Sequence, residues 1–198
     1  MIELKNINGG YGKKQVLFDI NTIMHENEIT SIIGPNGCGK STLLEISSGL
    51  MKPYEGVVVA DGVNIHEMNA KDRAKKISVL SQQKNPGALT VRALVYHGRF
   101  PYLGYPRKYR DEDRKIVDEA MRTAGIYDLA EESLSELSGG QQQKAYIAML
   151  LAQNTDIVFL DEPVTFLDIN YQLELMEIIK ELKNNGKTVI MVIHDINL

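Results

Sequence analysis

Gly34-Pro35-Asn36-Gly37-Cys38-Gly39-Lys40-Ser41 sets Gly34 and Gly39 with four residues between them, followed at once by a lysine and a hydroxyl. Glycines in this arrangement let the backbone curl so that its N–H groups, and the positive end of the helix that follows, face anionic oxygens. Lys40 is then placed to reach the β and γ phosphates of a nucleotide, and the Ser41 hydroxyl to ligate Mg²⁺. Asn36, Gly37, Cys38, Gly39, Lys40, Ser41 and Thr42 are the candidate cradle residues, with Cys38 a small spacer rather than a reactive thiol.

A second group lies at Asp161-Glu162, at the end of the apolar run Ile157-Val158-Phe159-Leu160. Adjacent strand residues point to opposite faces, so these carboxylates are expected to act separately rather than as a paired acid and base. Asp161 is the candidate for the magnesium shell, and Glu162 for polarising the water that attacks the γ-phosphate. Between the two groups lies Leu137-Ser138-Gly139-Gly140-Gln141, where a helix starting near Gly140 would aim its positive end outward.

These residues need a strand, loop and helix to hold them, and the sequence supplies that unit. Ile29 to Ile33 reads as a core strand, and Ser41 to Ser48 as a helix closed by Gly49. Before it, alternating stretches such as Gln15 to Ile20, with turn signals at Gly9-Gly10 and Gly12, predict an antiparallel sheet. Residues 85–152 read as helical, with Thr90 capping one helix, Asp111 capping a second and Gly125 closing that second one. Strand patterns return at 157–160 and 188–193, separated by a helix expected to bury Leu173, Met176, Ile179 and Leu182. The fold class is therefore α/β: a mainly parallel P-loop core, an N-terminal antiparallel β subdomain and a helical insertion. We expect one continuous domain over 1–198, with 1–84 and 153–198 as catalytic core and 85–152 as the helical subdomain.

The 198 residues are 43% hydrophobic, enough to bury a core, and carry a net charge of -4. That balance argues against a sequence-independent grip on nucleic acid, which needs a basic stripe. Cys38 is the single cysteine, so no intrachain disulfide can form. The first residues read as a charged strand rather than a secretory signal, and the apolar runs fall far short of the roughly 20 residues that span a bilayer. A soluble chain that meets a membrane only through a partner is expected.

In family order, the phosphate loop, Tyr11, Gln82, Leu137 to Gln141, Ile157 to Glu162, Thr165-Phe166-Leu167-Asp168 and His194 resemble the ATP-binding subunit of an ABC transporter. The resemblance implies an ATPase that uses ATP and Mg²⁺. It implies that Tyr11 stacks on adenine, and that Gln82 (or Gln83) links magnesium and water to the membrane partner. Ser138 and Gly140, flanked by Gly139 and Gln141, would contact a nucleotide held by the opposite subunit. Asp168 would cross the dimer interface and His194 would sense the γ-phosphate. The implied partners are a second copy, forming an ATP sandwich, the transmembrane permease, and indirectly an extracytoplasmic substrate-binding protein. The implied location is cytoplasmic, peripheral on the inner face of the cell membrane.

Thr90-Val91-Arg92, Gly98 to Gly104, Glu136 to Gln143 and Thr165 to Ile169 are similar to ATPases that import iron-siderophore complexes, haem or cobalamin. Metal-chelate import, most simply of iron-siderophore, is the implied function; a soluble ABC-type ATPase of DNA repair or translation and a non-hydrolysing ATP-dependent clamp are the alternatives. Lys144 stands where the family usually shows arginine, which loses bidentate geometry. The sequence stops at Leu198, and family members typically continue, so the resemblance implies a truncated domain that hydrolyses ATP poorly. The segment Arg99 to Arg110 interleaves aromatic and basic residues, readable as a single-strand nucleic-acid platform, a loop near the permease, or a solvated loop.

Overall fold

The computed structural model describes residues 1–82, 87–164 and 168–193. β1 (Ile2–Tyr11) and β2 (Lys14–Met24) form a hairpin across Gly12 and Lys13, with Tyr11 paired to Lys14. The turn expected at Gly9-Gly10 is absent. Both glycines lie inside β1 at register shifts: a Cβ on Gly9 would sit 2.3 Å from Cδ1 of Ile46, and one on Gly10 would meet the Lys14 carbonyl of β2 at 2.1 Å. Here glycine serves close approach rather than a change of direction.

β3 (Ile29–Ile33) coincides with the predicted strand and leads through the phosphate loop into α1 (Lys40–Ser47), which begins one residue earlier than expected and is closed at Gly49. β4 (Glu55–Ala60) and β5 (Val63–Asn64) return to the first sheet, giving the antiparallel order β2-β1-β4-β5. α2 (Ala70–Lys76) then runs into β6 (Ile77–Leu80), a strand too short for its period to show in the sequence.

The helical insertion holds α3 (Val91–His97), α4 (Asp111–Thr123) and α5 (Gly139–Gln153). Thr90 caps α3 as predicted, its Oγ1 accepting from the Ala93 N–H at 3.2 Å. Asp111 does not cap α4: it is the first helical residue, while Arg110 takes the cap position and its N–H donates to Asp113 Oδ2 at 2.9 Å. Asp113, three positions on, reaches back to that N–H better than Asp111 can. Gly125 follows the last turn of α4 with φ 63°, as expected.

β7 (Ile157–Asp161), α6 (Ile169–Asn184) and β8 (Thr188–Ile193) complete a parallel sheet in the order β3-β8-β7-β6. Its alternate residues serve two layers. Ile157, Phe159, Ile190 and Val192 pack with α1 and with Ile2, Leu4 and Ile7 of the antiparallel sheet. Val158, Leu160, Val189 and Met191 pack with Ala145, Leu175 and Ile179 of α5 and α6. One sheet thus fixes the phosphate loop on one side and the helical insertion on the other. On α6 the predicted stripe is partly wrong: Ile179 is buried and Met176 and Leu182 pack against the core, but Leu173 is 57% exposed. Leu175 takes its place, since a helix turns about 100° per residue and 173 falls on the far side from 179.

The Arg99 to Arg110 segment is largely an exposed loop, tied to the rest of the insertion at several points. Tyr96 and Tyr109 lie 4.3 Å apart between ring centroids, the Tyr102 hydroxyl donates to the Gln153 carbonyl at 2.8 Å, and Lys71 Nζ donates to the Leu103 carbonyl at 2.9 Å. Arg99 stacks 4.0 Å from the Tyr102 ring and donates to Asp113 Oδ1 and the Ala152 carbonyl, each at 2.9 Å. Tyr109 is partly buried, whereas Phe100, Tyr102 and Tyr105 are exposed, Tyr105 fully.

Candidate functional site

The sequence of the phosphate loop dictates its shape. Gly39 occupies the N-cap of α1 at φ 101°, a left-handed conformation, and a Cβ there would lie 2.9 Å from Val16 Cγ1. Glycine alone meets both demands. The turn aims the first N–H groups of α1 into an open groove of about 470 Å³ lined by Tyr11, Asn36, Gly37, Gly39, Lys40, Ser41, Thr42, Gln82 and Glu162. All of these are predicted site residues, drawn from four separate stretches of chain. Cys38 is exposed on the loop and does not line the groove.

Lys40 is buried at 7% exposure, and its Nζ donates to the carbonyls of Gly34 and Pro35 at 2.8 and 3.0 Å. The ammonium thus sits over the loop that a phosphate would fill. Ser41 Oγ donates to Asp161 Oδ1 at 3.2 Å, bringing the end of β7 onto the start of α1. Burial pushes the Asp161 carboxyl above its ordinary value; the Ser41 hydrogen bond pulls it back and the neighbouring Glu162 charge raises it further.

Glu162 lies just past β7 with φ 50°, rare for a non-glycine residue, and its N–H donates to the Val192 carbonyl at 3.1 Å. The expectation that Asp161 and Glu162 part company holds, through this left-handed backbone rather than through strand alternation. Asp161 turns to Ser41, whereas Glu162 Oε2 accepts from Gln82 Nε2 at 2.7 Å. Gln82 thus lines the groove; Gln83 lies outside the described residues, as do Thr165 to Leu167 and His194.

Tyr11 stands at the groove's mouth, half exposed, with its hydroxyl donating to Glu45 Oε2 at 2.9 Å. Lys14 and Val16 also line the groove, although neither is among the candidate site residues of the sequence. The signal that could have found Lys14 is the hairpin, which sets it directly opposite Tyr11.

The other predicted residues stand elsewhere. Ser138 caps α5 in a reciprocal box, its Oγ accepting from the Gln141 N–H at 3.4 Å and its N–H donating to Gln141 Oε1 at 3.0 Å. None of Ser138, Gly139, Gly140 and Gln141 lines the groove of its own chain. Asp168 caps α6, accepting from the N–H groups of Asn170 and Tyr171 at 3.0 and 3.1 Å. Lys144 pairs with Glu174 at 2.7 Å and lies 4.6 Å from the Tyr171 ring centre, so it braces α5 on α6. Among the described residues no helix is long and apolar enough to cross a membrane.

Replacing Lys40 by Met keeps the aliphatic stem and removes the charge. ATP binding, followed by titration with a fluorescent nucleotide, is expected to weaken about 10- to 100-fold, the scale of a lost charge-assisted hydrogen bond.

The profile of the ABC transporter family matches residues 17–165. The iron(3+)-hydroxamate import ATP-binding protein FhuC of Bacillus subtilis is 44% identical over 190 residues, covering 95% of this chain and 71% of that protein. The ferric enterobactin transport ATP-binding protein FepC of Escherichia coli is 46% identical over 190 residues, covering 95% of this chain and 70% of that protein. Among solved structures, the ATP-binding cassette MJ0796, as a dimer in a post-hydrolysis state with ADP and Pi, superposes with a TM-score of 0.87 at 34% identity over 100% of this chain and 89% of that one. The strand, loop and helix unit, the groove with Lys40 and Glu162, and these likenesses agree: the chain belongs to the ABC transporter family, as an ATP-hydrolysing cassette.

Proposed function

We propose that this chain is the ATPase subunit of an importer that takes up an iron-siderophore complex. The observation that carries the reading is the convergence of Lys40, Ser41, Gln82 and Glu162 on one groove; the cargo follows from the siderophore and iron-hydroxamate transport for which the relatives are named. ATP lies with its phosphates in the cradle of Asn36 to Thr42, held by backbone N–H groups and Lys40, and its adenine on Tyr11. A water held between Gln82 and Glu162 attacks the γ-phosphorus in line, its proton passing to the Glu162 carboxylate as ADP leaves.

The donor set fits Mg²⁺. Among the described residues no cluster of three or more His, Cys, Asp or Glu side chains could hold a metal by itself, and Ser41 touches a single carboxylate, Asp161. Mg²⁺ commonly takes one or two protein ligands and completes its shell with substrate phosphates and water. Ser41, Asp161 and Gln82 would hold it, and when bound it neutralises charge on the β and γ phosphates.

Ser138, Gly139, Gly140 and Gln141 serve the ATP of a second copy, with Asp168 at the interface between the two. The roles of Asp168 and of His194, as sensor of the γ-phosphate, rest on the family resemblance. In this reading 1–84 and 153–198 form the catalytic core and 85–152 the subdomain that presents the signature. The partners are a transmembrane permease and, through it, an extracytoplasmic substrate-binding protein. The chain works at the cytoplasmic face of the membrane. Purifying the native complex from membranes tests this: a partner with many membrane spans, whose ferric-siderophore uptake needs ATP, is expected. A ribosomal or DNA-repair partner would overturn the reading.

A further inference from the structure

Gln143 lies in the second turn of α5, 9% exposed, and its Nε2 donates to the carbonyl of Pro163 at 2.7 Å. That carbonyl belongs to the residue directly after Glu162. Three contacts therefore fix Glu162: its left-handed backbone is anchored by Val192 on one side, its successor by Gln143 on the other, and its carboxylate by Gln82. Val164 continues into the core that contains Ala145, Ile147 and Ala148 of α5, so the peptide after Glu162 lies against this helix. The far end of α5 is tied to the core as well, Gln153 Nε2 donating to the carbonyls of Ala74 and Ile77 at 2.6 and 3.2 Å. A helix held at its end and capped by Ser138 at its start can pass a shift at Ser138 to Pro163 through this one buried side chain.

We propose that Gln143 is a positioning residue which sets Glu162 for hydrolysis and couples it to the engagement of the signature helix with a nucleotide. It touches neither ATP nor the attacking water. The proposal rests on the reading of Glu162 given above. Its chemistry is specific: the amide donates to a carbonyl, which Leu cannot do and ionised Glu cannot do, but which a lysine ammonium can.

In the full chain, Gln143→Leu and Gln143→Glu are expected to lower kcat for ATP about 10- to 100-fold with KM changed less than about twofold, the scale of a slightly misplaced catalytic group. Gln143→Lys should recover most of that loss. Ile147→Val, a small change one turn further along the buried face of α5, controls for destabilisation and should keep kcat. In a Glu162→Gln background, Gln143→Leu should still form the ATP-dependent dimer on a sizing column. Loss of that dimer would place the effect at the signature itself and overturn the proposal, as would wild-type kcat in folded Gln143→Leu. If Glu162→Gln alone hydrolyses ATP normally, the assignment of Glu162 fails instead.

Discussion

Glu162→Gln is expected to slow ATP hydrolysis by about 10²- to 10⁴-fold, the usual contribution of a positioned general base. The substitution changes almost no volume, and the new amide oxygen can still accept the hydrogen bond from Gln82, which now measures 2.7 Å to Oε2. It cannot accept a proton from water. Binding depends on other groups, the N–H groups of the loop and Lys40, so ATP should bind as before. In the proposed pair, where each copy contributes Ser138 to the other's nucleotide, an uncleaved ATP is expected to hold the two together. Phosphate release measured beside a sizing column should therefore show lost turnover and a dimer that appears only with ATP. An unchanged rate, or monomer alone at saturating ATP, would remove Glu162 from its role.

The second large effect concerns stability. Arg99 and Asp113 form an ion pair at 2.9 Å with side chains 8% and 9% exposed. Arg99→Met leaves the carboxylate buried without its partner, and also strips a donor from the Ala152 carbonyl and a cation from the Tyr102 ring. Such a loss costs about 3–5 kcal/mol, measurable by urea unfolding. Pairing the change with Asp113→Leu removes the orphaned charge and should recover much of the deficit. Burial by itself would raise the Asp113 carboxyl, but the Arg110 N–H and the Arg99 guanidinium outweigh it and hold it below its ordinary value. Its contribution is therefore present above the unfolded carboxylate value of about 3.9 and fades as pH falls through the folded one, so wild type and Arg99→Met should converge in acid.

The phosphate loop, the capped start of α5 and the strand ending in Asp161 could be read directly because each is local. Spacing along a few residues determines backbone shape, and backbone shape places the N–H groups. The features that escaped are those set by distant chain. Gly9 looks like a turn until Ile46 is known to press on it, and Lys14 looks like loose charge until the hairpin sets it opposite Tyr11. Leu173 and Leu175 are equally apolar, and only the position of the core decides between them. The aromatic segment after Arg99 cannot be apportioned from composition, which does not show that Tyr109 stacks on Tyr96 while Tyr105 stands fully in solvent. Gln143 belongs to the same class: a glutamine beside the signature acquires meaning only when Pro163 is found beneath it.

The strand order β3-β8-β7-β6 has a consequence for how the molecule comes into being. Among the described residues, the strand that launches the phosphate loop pairs in the sheet with a strand far along the chain, Ile29 lying beside Val189. During synthesis the hairpin of β1 and β2 can close at once, yet the nucleotide site has no floor until β8 slides between β3 and β7. Closing so long a loop is slow and leaves apolar strand edges open while the chain waits. The phosphate cradle is therefore expected to assemble well after its own residues have been made, once β8 from Thr188 to Ile193 is available to pair with β3.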